Sequence, residues 1–99
     1  MSEHSRAYRY AVNVTPKPGI LDPQGKAVER SLPHLGIAGV SGVRVGRRVE
    51  MNVTAVDEAA ARVIVDRLAG DLLSNPLMEQ FEVEALGETE VPAVAGLGG

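Results

Sequence analysis

Thirteen residues in the middle of the chain alternate between two kinds of side chain, and this pattern limits the possible folds more than any other. Every odd-numbered position from Val43 to Ala55 is apolar except Arg47, whereas the even-numbered positions are polar or glycine. A period of two residues is typical of a β-strand with one buried face, because successive side chains point to opposite sides of a sheet. The chain therefore has to build a sheet and a second layer that covers one side of it.

A hairpin and a single bent strand are the two ways of building this segment. A two-residue turn at Gly46 and Arg47 would turn Glu50 and its even-numbered neighbours onto the buried face, so we exclude it. A three-residue turn over residues 46–48 keeps the pattern, but its last position usually holds glycine and here holds arginine. One long strand bent at Gly46 also keeps it, and a length of roughly 40 Å would carry it into a partner molecule. We favour the long bent strand, and the three-residue hairpin remains an alternative.

Before this segment the sequence predicts a strand and a helix. Alternating residues from Tyr8 to Thr15 are typical of a strand. Asp22 is a preferred N-cap and Pro23 suits the first helical position, so helix 1 begins there and ends or kinks at Pro33. The face of helix 1 that we expect to be buried comprises Ala27, Val28, Ser31, Leu32 and Leu35.

After this segment the sequence predicts a second helix and a last strand. Helix 2 begins at Asp57 or Glu58, where acidic residues suit the positive helix end, and residues 74–76 end it. The last strand covers residues 80–85, with the odd-numbered side chains directed inward. The apolar stripe expected on helix 2 comprises Ala61, Ile64, Val65, Leu68 and Leu72.

This element order predicts an α+β fold with two helices packed on one face of an antiparallel sheet, in the order β-α-β(β)-α-β. We expect one domain over residues 8–86, between a flexible N-terminus at 1–7 and a flexible tail at 87–99. The only aromatic residues are two Tyr and one Phe, so the core of this 99-residue chain is thin. A thin core and a long exposed strand predict a dimer or higher oligomer, with the sheet extended by dimerisation.

Composition also argues against several classes of partner. The net charge is −3 and the one basic cluster is Arg44, Arg47 and Arg48, which disfavours nucleic acid. No apolar run approaches the ~20 residues of a membrane span, and the polar N-terminus has no apolar signal region, so we expect a cytoplasmic protein.

Catalytic and metal-binding patterns are not found in the sequence. There is no cysteine, and His4 and His34 are isolated, so we expect no metal site. Neither Ser31 nor Ser41 lies in a nucleophile elbow, and the glycines fit no phosphate-binding loop. We therefore expect no catalytic residue in this chain, which leaves binding or assembly as its task.

Three stretches, in order and spacing, carry a resemblance to a known family: "GILDPQGKAVERSL" (19–32), "VRVGRRVEMNV" (43–53) and "LLSNPLMEQFEVE" (72–84). Together they resemble the PurS subunit of phosphoribosylformylglycinamidine (FGAM) synthase, over residues 8–86. The sequence departs from that family at Pro33, which falls inside the family's first helix, and in a tail that is longer than usual.

The resemblance implies a small non-catalytic subunit of a complex in de novo purine biosynthesis. That complex converts formylglycinamide ribonucleotide, glutamine and ATP to FGAM. A glutaminase subunit makes ammonia, and a large synthetase subunit binds ATP and Mg and performs the amidation. The small subunit dimerises, bridges the other two and assists ammonia transfer, so it is expected to bind no cofactor itself.

The resemblance also implies interface or docking residues at the motif positions, and for these we expect a role in shape rather than in chemistry. Among them Arg47 is the one charged residue on the apolar face of its strand. We expect it to lie outside the monomer's core, paired with a carboxylate across an interface, with Arg48 simply solvated. The full set comprises Asp22, Pro23, Gln24, Gly25, Arg44, Gly46, Arg47 and Glu50.

Two other functions stay open at this point. A small α+β regulatory module would bind an amino acid or nucleotide at a dimer interface. A ferredoxin-like oxygenase without a cofactor would need a polar pocket with aromatic or histidine residues, of which the chain has few.

Overall fold

The structure, a computed structural model, describes residues 5–91. Three strands form one antiparallel sheet in the order β2-β1-β3. They are β1 (Arg6–Pro16), β2 (Arg47–Ala55) and β3 (Glu79–Thr89). Two α-helices connect them, α1 (Pro23–Ser31) and α2 (Glu58–Leu68). The predicted α+β class, with two helices and an antiparallel sheet, is confirmed.

The core lies between α2 and one face of the sheet. Alternate residues of the central strand β1, from Tyr8 to Val14, are buried on this face. They meet Val53 of β2 and a short helical stripe of Ala61, Val65 and Ala69. All of these side chains are at most 7 % exposed, so the thin apolar core expected from composition is present but small.

Both α-helices begin at the predicted caps. The Asp22 carboxylate accepts a hydrogen bond from the Gly25 N–H at 2.9 Å, and Asp57 accepts one from the Ala60 N–H at 2.8 Å. Helix α1 ends at Ser31, before Pro33, and continues as a 3₁₀ turn over Leu32–Leu35. The Asp22 N-cap, the start of helix 2 at Asp57 or Glu58 and the change of helix 1 near Pro33 are therefore confirmed.

The predicted burial of helix 1 is wrong for the single chain. Gly25 is the one buried residue of α1, Val28 is 42 % exposed and Leu35 is 71 % exposed. Helix α1 and its 3₁₀ turn, residues 23–35, form what we call the arm. The arm makes the molecule 56 Å long with a radius of gyration of 18.1 Å, whereas about 13 Å is typical of this chain length. Only α2 covers the sheet, because the arm extends past the end of β1.

The alternation from Val43 to Ala55 is confirmed, but the long strand is not. All the apolar odd-numbered side chains of this segment are at least partly buried, and all the even-numbered residues are exposed. The paired strand β2 nevertheless begins at Arg47 rather than at Val43. Its pairing with β1 runs from Arg6–Ala55 to Val14–Arg47, and residues 43–46 form no strand pair within the described residues. No hairpin interrupts the segment, because β2 runs unbroken through Arg48 to Ala55.

The stripe predicted for helix 2 is partly wrong. Ala61 and Val65 are buried, but Ile64 is 42 % and Leu72 is 72 % exposed. The helix changes to a π-helical turn over Ala69–Leu73, which adds a residue to the turn and rotates the face that meets the sheet. As a result Ala69 and Leu73 contact the core instead of Leu72.

The last strand is longer than predicted and contains a bulge. Arg9 pairs with Gly87 and Tyr10 pairs with Ala85, so Leu86 has no counterpart in β1. Gly87 has a φ of +108°, a conformation that favours glycine. Residues 87–89, which we expected in a flexible tail, continue β3, and the rest of that predicted tail beyond residue 91 lies outside the described residues.

Candidate docking cleft

An open cleft of about 710 Å³ lies where the arm joins the sheet. One wall is the loop from Ile20 to Gln24, and the opposite walls are residues 45–47 and the turn from Asn75 to Glu79. Five of the eight predicted docking residues line this cleft: Asp22, Pro23, Gln24, Gly46 and Arg47. Two chain segments that are more than twenty residues apart therefore meet at one site.

Asp22 fixes the arm to the segment before β2. Besides capping α1, its carboxylate accepts a hydrogen bond from the Val45 N–H at 2.9 Å. These two backbone donors, Gly25 first and Val45 second, lower the pKa of the Asp22 carboxyl. Glu29, on the next turns of α1, accepts from the Val43 N–H at 2.9 Å in the same way. The arm is thus held rigidly although its apolar side chains are exposed.

Two glycines allow the backbones to approach closely here. A side chain at Gly25 would collide with the carbonyl oxygen of Val43, and one at Gly46 would collide with that of Val14. Arg44 adds to the same junction by donating hydrogen bonds to the carbonyl oxygens of Pro16 and Lys17. Gly25 and Arg44 are therefore beside the cleft and support it without lining it.

Arg47 lies on the core side of β2, at the end of the sheet, where it pairs with a residue of its own chain. Its guanidinium donates to both carboxylate oxygens of Glu79, at 2.8 and 2.9 Å, and to the carbonyl oxygen of Leu73. The bidentate pairing is as predicted, but the expected partner across an interface is wrong. Hydrogen bonds from Arg47, and then from the Asn75 N–H, lower the pKa of Glu79 to about 2.

Glu50 is not part of the cleft, because it projects from the opposite face of the sheet. There it contacts Arg9 at 3.6 Å and Arg48 at 3.0 Å. Arg48 also donates to Glu84 at 2.8 Å and to Asn13 at 3.1 Å, so this network joins all three strands. The expectation that Arg48 is simply solvated is therefore wrong.

Sequence reasoning missed Glu79 and its turn. Glu79 has an odd number, which places it on the same face of its strand as Phe81. The signal that would have found it is the unpaired Arg47 on that face, which required a carboxylate nearby. Asn75, whose backbone oxygen accepts from the Met78 and Glu79 N–H groups, shapes the turn.

Polar side chains in the described part of the chain are hydrogen-bonded rather than gathered into a metal-binding cluster. Within residues 5–91 no group of three or more His, Cys, Asp or Glu side chains is placed to hold a metal ion. In the same range every buried side-chain nitrogen or oxygen has a hydrogen-bond partner. None of the helices in the described part of the chain is long and apolar enough to cross a membrane. The fold and the cleft together define a small α+β domain, with an antiparallel sheet and an open cleft at its end.

Comparisons with known proteins agree with this class. The family model PurS, described as phosphoribosylformylglycinamidine (FGAM) synthase, matches residues 9–87. A phosphoribosylformylglycinamidine synthase subunit PurS from Synechocystis is 40 % identical over 90 residues, which cover 89 % of this chain and 90 % of that protein. The chain therefore belongs to the PurS family of FGAM synthase subunits, in purine biosynthesis.

Solved structures of this family have the same fold. The crystal structure of the PurS subunit from Thermotoga maritima matches with a TM-score of 0.77 and 30 % identity, over 85 % of this chain and 97 % of that one. A chain in the structure of PurLQS from the same organism matches with a TM-score of 0.74 and 30 % identity, over 81 % of this chain and 98 % of that one. Family membership favours the assembly role over the regulatory module and the oxygenase.

Proposed function

We propose that this chain is the non-catalytic bridge of FGAM synthase, which holds the glutaminase and synthetase subunits together and assists ammonia transfer. The observation that carries this proposal is the cleft, where Asp22, Gly46 and Arg47 meet in a rigid, fully hydrogen-bonded frame. The similarity to a chain of PurLQS supports it further. ATP and Mg then belong to the synthetase subunit, and the reacting groups belong to the two larger subunits.

The rim of the cleft suits a protein partner. Leu21 is 73 % exposed and Met78 is 53 % exposed, on opposite sides of the opening. Exposed apolar side chains that lie close together beside polar residues mark a candidate site of protein–protein interaction. Because Asp22 and Glu29 already hold the loop in place, little conformational entropy is lost when a partner binds.

Self-association is the second part of the proposal. The exposed apolar residues of the arm and the elongated shape both indicate a chain that completes its packing against another copy. A location in the cytoplasm, expected from the sequence, stays a prediction.

The test compares two nitrogen sources in the reconstituted three-subunit enzyme. With glutamine, FGAM formation should require this chain, because ammonia has to pass between subunits. With ammonium chloride, the synthetase should form FGAM without it. Glutamine-dependent synthesis at the full rate from the two large subunits alone would contradict the bridging role.

A matched pair of variants tests the cleft itself. Leu21→Asp places a charge on the rim, and we expect it to lower glutamine-dependent synthesis by roughly tenfold or more, since a buried unpaired charge is costly. Val63→Asp is the control, because Val63 is 68 % exposed on α2 and does not line the cleft. Ammonium-dependent synthesis should be the same for both variants. Equal glutamine-dependent rates for the two would rule out docking at this rim.

A further inference from the structure

We propose that the free edge of β3 binds an extended segment of a partner protein, in which apolar and basic residues alternate. The segment lies beside residues 80–85 and adds a fourth strand to the sheet. A bridge needs a contact surface for each of two subunits, and the cleft provides one of them. The edge of β3 provides the other, so this second surface rests on the proposed function.

The backbone of β3 is available for pairing along one side. In the order β2-β1-β3 this strand lies at the edge of the sheet, and within residues 5–91 only β1 pairs with it. Its pairing with β1 is regular from Glu79 to Ala85, and the bulge at Leu86 then interrupts it. A regular edge presents a row of backbone N–H and C=O groups to which another strand can bind. Residues 80–85 are therefore the part of β3 that accepts an added strand.

The side of β3 that faces the helical layer is apolar and incompletely covered. Phe81 is 37 % exposed and Ala85 is also exposed, whereas Val83 between them is partly buried against the core. Helix α2 contacts mainly β2 and β1, so it leaves this side of the edge strand open. Apolar residues at alternate positions of an added strand cover Phe81 and Ala85, because neighbouring strands place such side chains next to one another.

The opposite side of residues 80–85 is acidic, and one of its carboxylates has no basic partner. Within residues 5–91 the other acids of β3, among them Glu84, pair with arginines of the chain, whereas Glu82 does not. A hollow of about 300 Å³ lies beside Glu82, and its other lining residues are Asn13, Thr15, Gln80 and Phe81. A lysine or arginine of the added strand, directly opposite Glu82, forms an ion pair at this hollow. Such pairs select a partner more than they add affinity, so the bound segment carries basic residues on this side.

A second copy of β3 does not fit this edge. In antiparallel registers centred on residue 82, 83 or 84, a glutamate of one copy lies opposite a glutamate of the other. Like charges in directly facing positions destabilise a strand pair. The acidic row that repels a second copy attracts a basic segment, so charge selects the occupant of this edge.

Hydrogen exchange in the assembled enzyme tests this edge directly. Strand addition gives the outward-facing amides of residues 80–85 new hydrogen-bond partners. Their exchange should therefore become roughly tenfold slower or more when one of the two larger subunits is added. A contact through side chains alone would leave these amides without new partners. Residues 87–89, beyond the bulge, are the internal reference and should exchange as in the free chain.

A matched pair of charge reversals tests the chemistry of the bound segment. Glu82→Lys places a positive charge opposite the basic residue of the partner, and we expect it to weaken binding of that subunit by roughly tenfold. Glu88→Lys is the control, because it makes the same change of charge on the same strand but beyond the bulge. Both residues are exposed, so both variants should fold, which their melting temperatures check. Isothermal titration with the subunit that protects residues 80–85 measures both affinities.

The outcomes separate this surface from the proposed function. Unchanged exchange at residues 80–85 with either subunit, or equal affinities of the two variants, would overturn the inference. Slower exchange in the chain alone, as its concentration rises, would place a second copy at this edge and would overturn it as well. If the edge stays unprotected while glutamine-dependent FGAM synthesis requires this chain, the bridging function stands without this surface. If the edge is protected and Glu82→Lys binds more weakly, but synthesis does not require the chain, the surface stands and the bridge is contradicted.

Discussion

Asp22 fixes the direction of the arm, because one carboxylate accepts two backbone hydrogen bonds from different segments. Asp57 provides a natural comparison, since it caps α2 through the Ala60 N–H and is exposed. Asp57→Ala should lower the free energy of unfolding by about 1 kcal/mol, as is typical of an N-cap. Asp22→Ala should lower the melting temperature more, because the Val45 N–H also loses its acceptor.

The two variants should also differ in where the structure loosens. Hydrogen exchange at the Val45 amide should be faster in Asp22→Ala and unchanged in Asp57→Ala. Equal melting temperatures and equal exchange at Val45 would mean that Asp22 is only a cap.

Glu79 should make stability depend on pH in the acid range. Its pKa is about 2 in the folded chain against 4.5 for an unperturbed glutamate, because Arg47 and the Asn75 N–H bind its charged form. A lowered folded pKa means that this stabilisation is complete above pH 4.5 and is lost as the pH falls towards 2. Urea unfolding of the wild type and of Glu79→Gln should therefore differ most at neutral pH and converge near pH 2. A constant difference across that range would contradict the assignment.

Arg47 should contribute to folding, because it pairs with Glu79 of its own chain rather than with a residue across an interface. Arg47 joins β2 to Glu79 and to the carbonyl of Leu73, at the end of the helical layer. Arg47→Ala should therefore lower the melting temperature, and Arg47→Lys should restore it only in part, because lysine cannot pair bidentately. Arg48→Ala should have the smaller effect, since its partners Glu50 and Glu84 are half exposed and surface ion pairs contribute little. If Arg47→Ala leaves the melting temperature unchanged, Arg47 contributes to docking and not to folding.

At the scale of elements, Ala61 and Val65 mark the face of α2 that meets the sheet. Val65 is fully buried beside Ala61 and Ala69, whereas its neighbour Ile64 is 42 % exposed. Val65→Ala should lower the free energy of unfolding by about 2 kcal/mol, because it leaves a cavity in a thin core. Ile64→Ala should cost less than about 1 kcal/mol. A larger loss for Ile64→Ala in chemical unfolding would indicate that the stripe predicted from the sequence is the buried one.

At the scale of the whole molecule, the chain is elongated and apolar side chains of its arm are exposed. We therefore expect the folded state to be more stable at higher protein concentration. Dimerisation stabilises the folded state by mass action, so the melting temperature should rise as protein concentration rises. Leu35→Ser changes a residue that is 71 % exposed in the single chain, and we expect it to reduce this concentration dependence. Leu77→Ser, at an 84 % exposed position in the turn before β3, is the control and should keep it. A melting temperature independent of concentration in the wild type would argue for a monomer.

The sequence by itself determined the local features of this protein. The alternation from Val43 to Ala55, the N-cap Asp22, the start of helix 2 at Asp57 or Glu58, and the end of the α-helix near Pro33 are all present as predicted. Each of these depends on the few residues beside it, through strand period, capping hydrogen bonds or the missing N–H of proline. The three spaced motifs were also enough to indicate the family.

Only the tertiary structure decided which surfaces and charges meet. The apolar stripe of helix 1 indicates that this face of the helix packs against another surface. The periodicity of the stripe does not indicate whether that surface belongs to the same chain. The pairing of β2 with β1 ends at Arg47 and Val14, and the Arg47–Glu79 pair joins residues that lie 32 positions apart. The order of the strands sets such contacts, since it brings the first residues of β2 and β3 to the same end of the sheet on either side of β1. Sequence patterns indicate which side chains of an element need an apolar neighbour or an opposite charge. The packing of the whole chain determines which residues provide them.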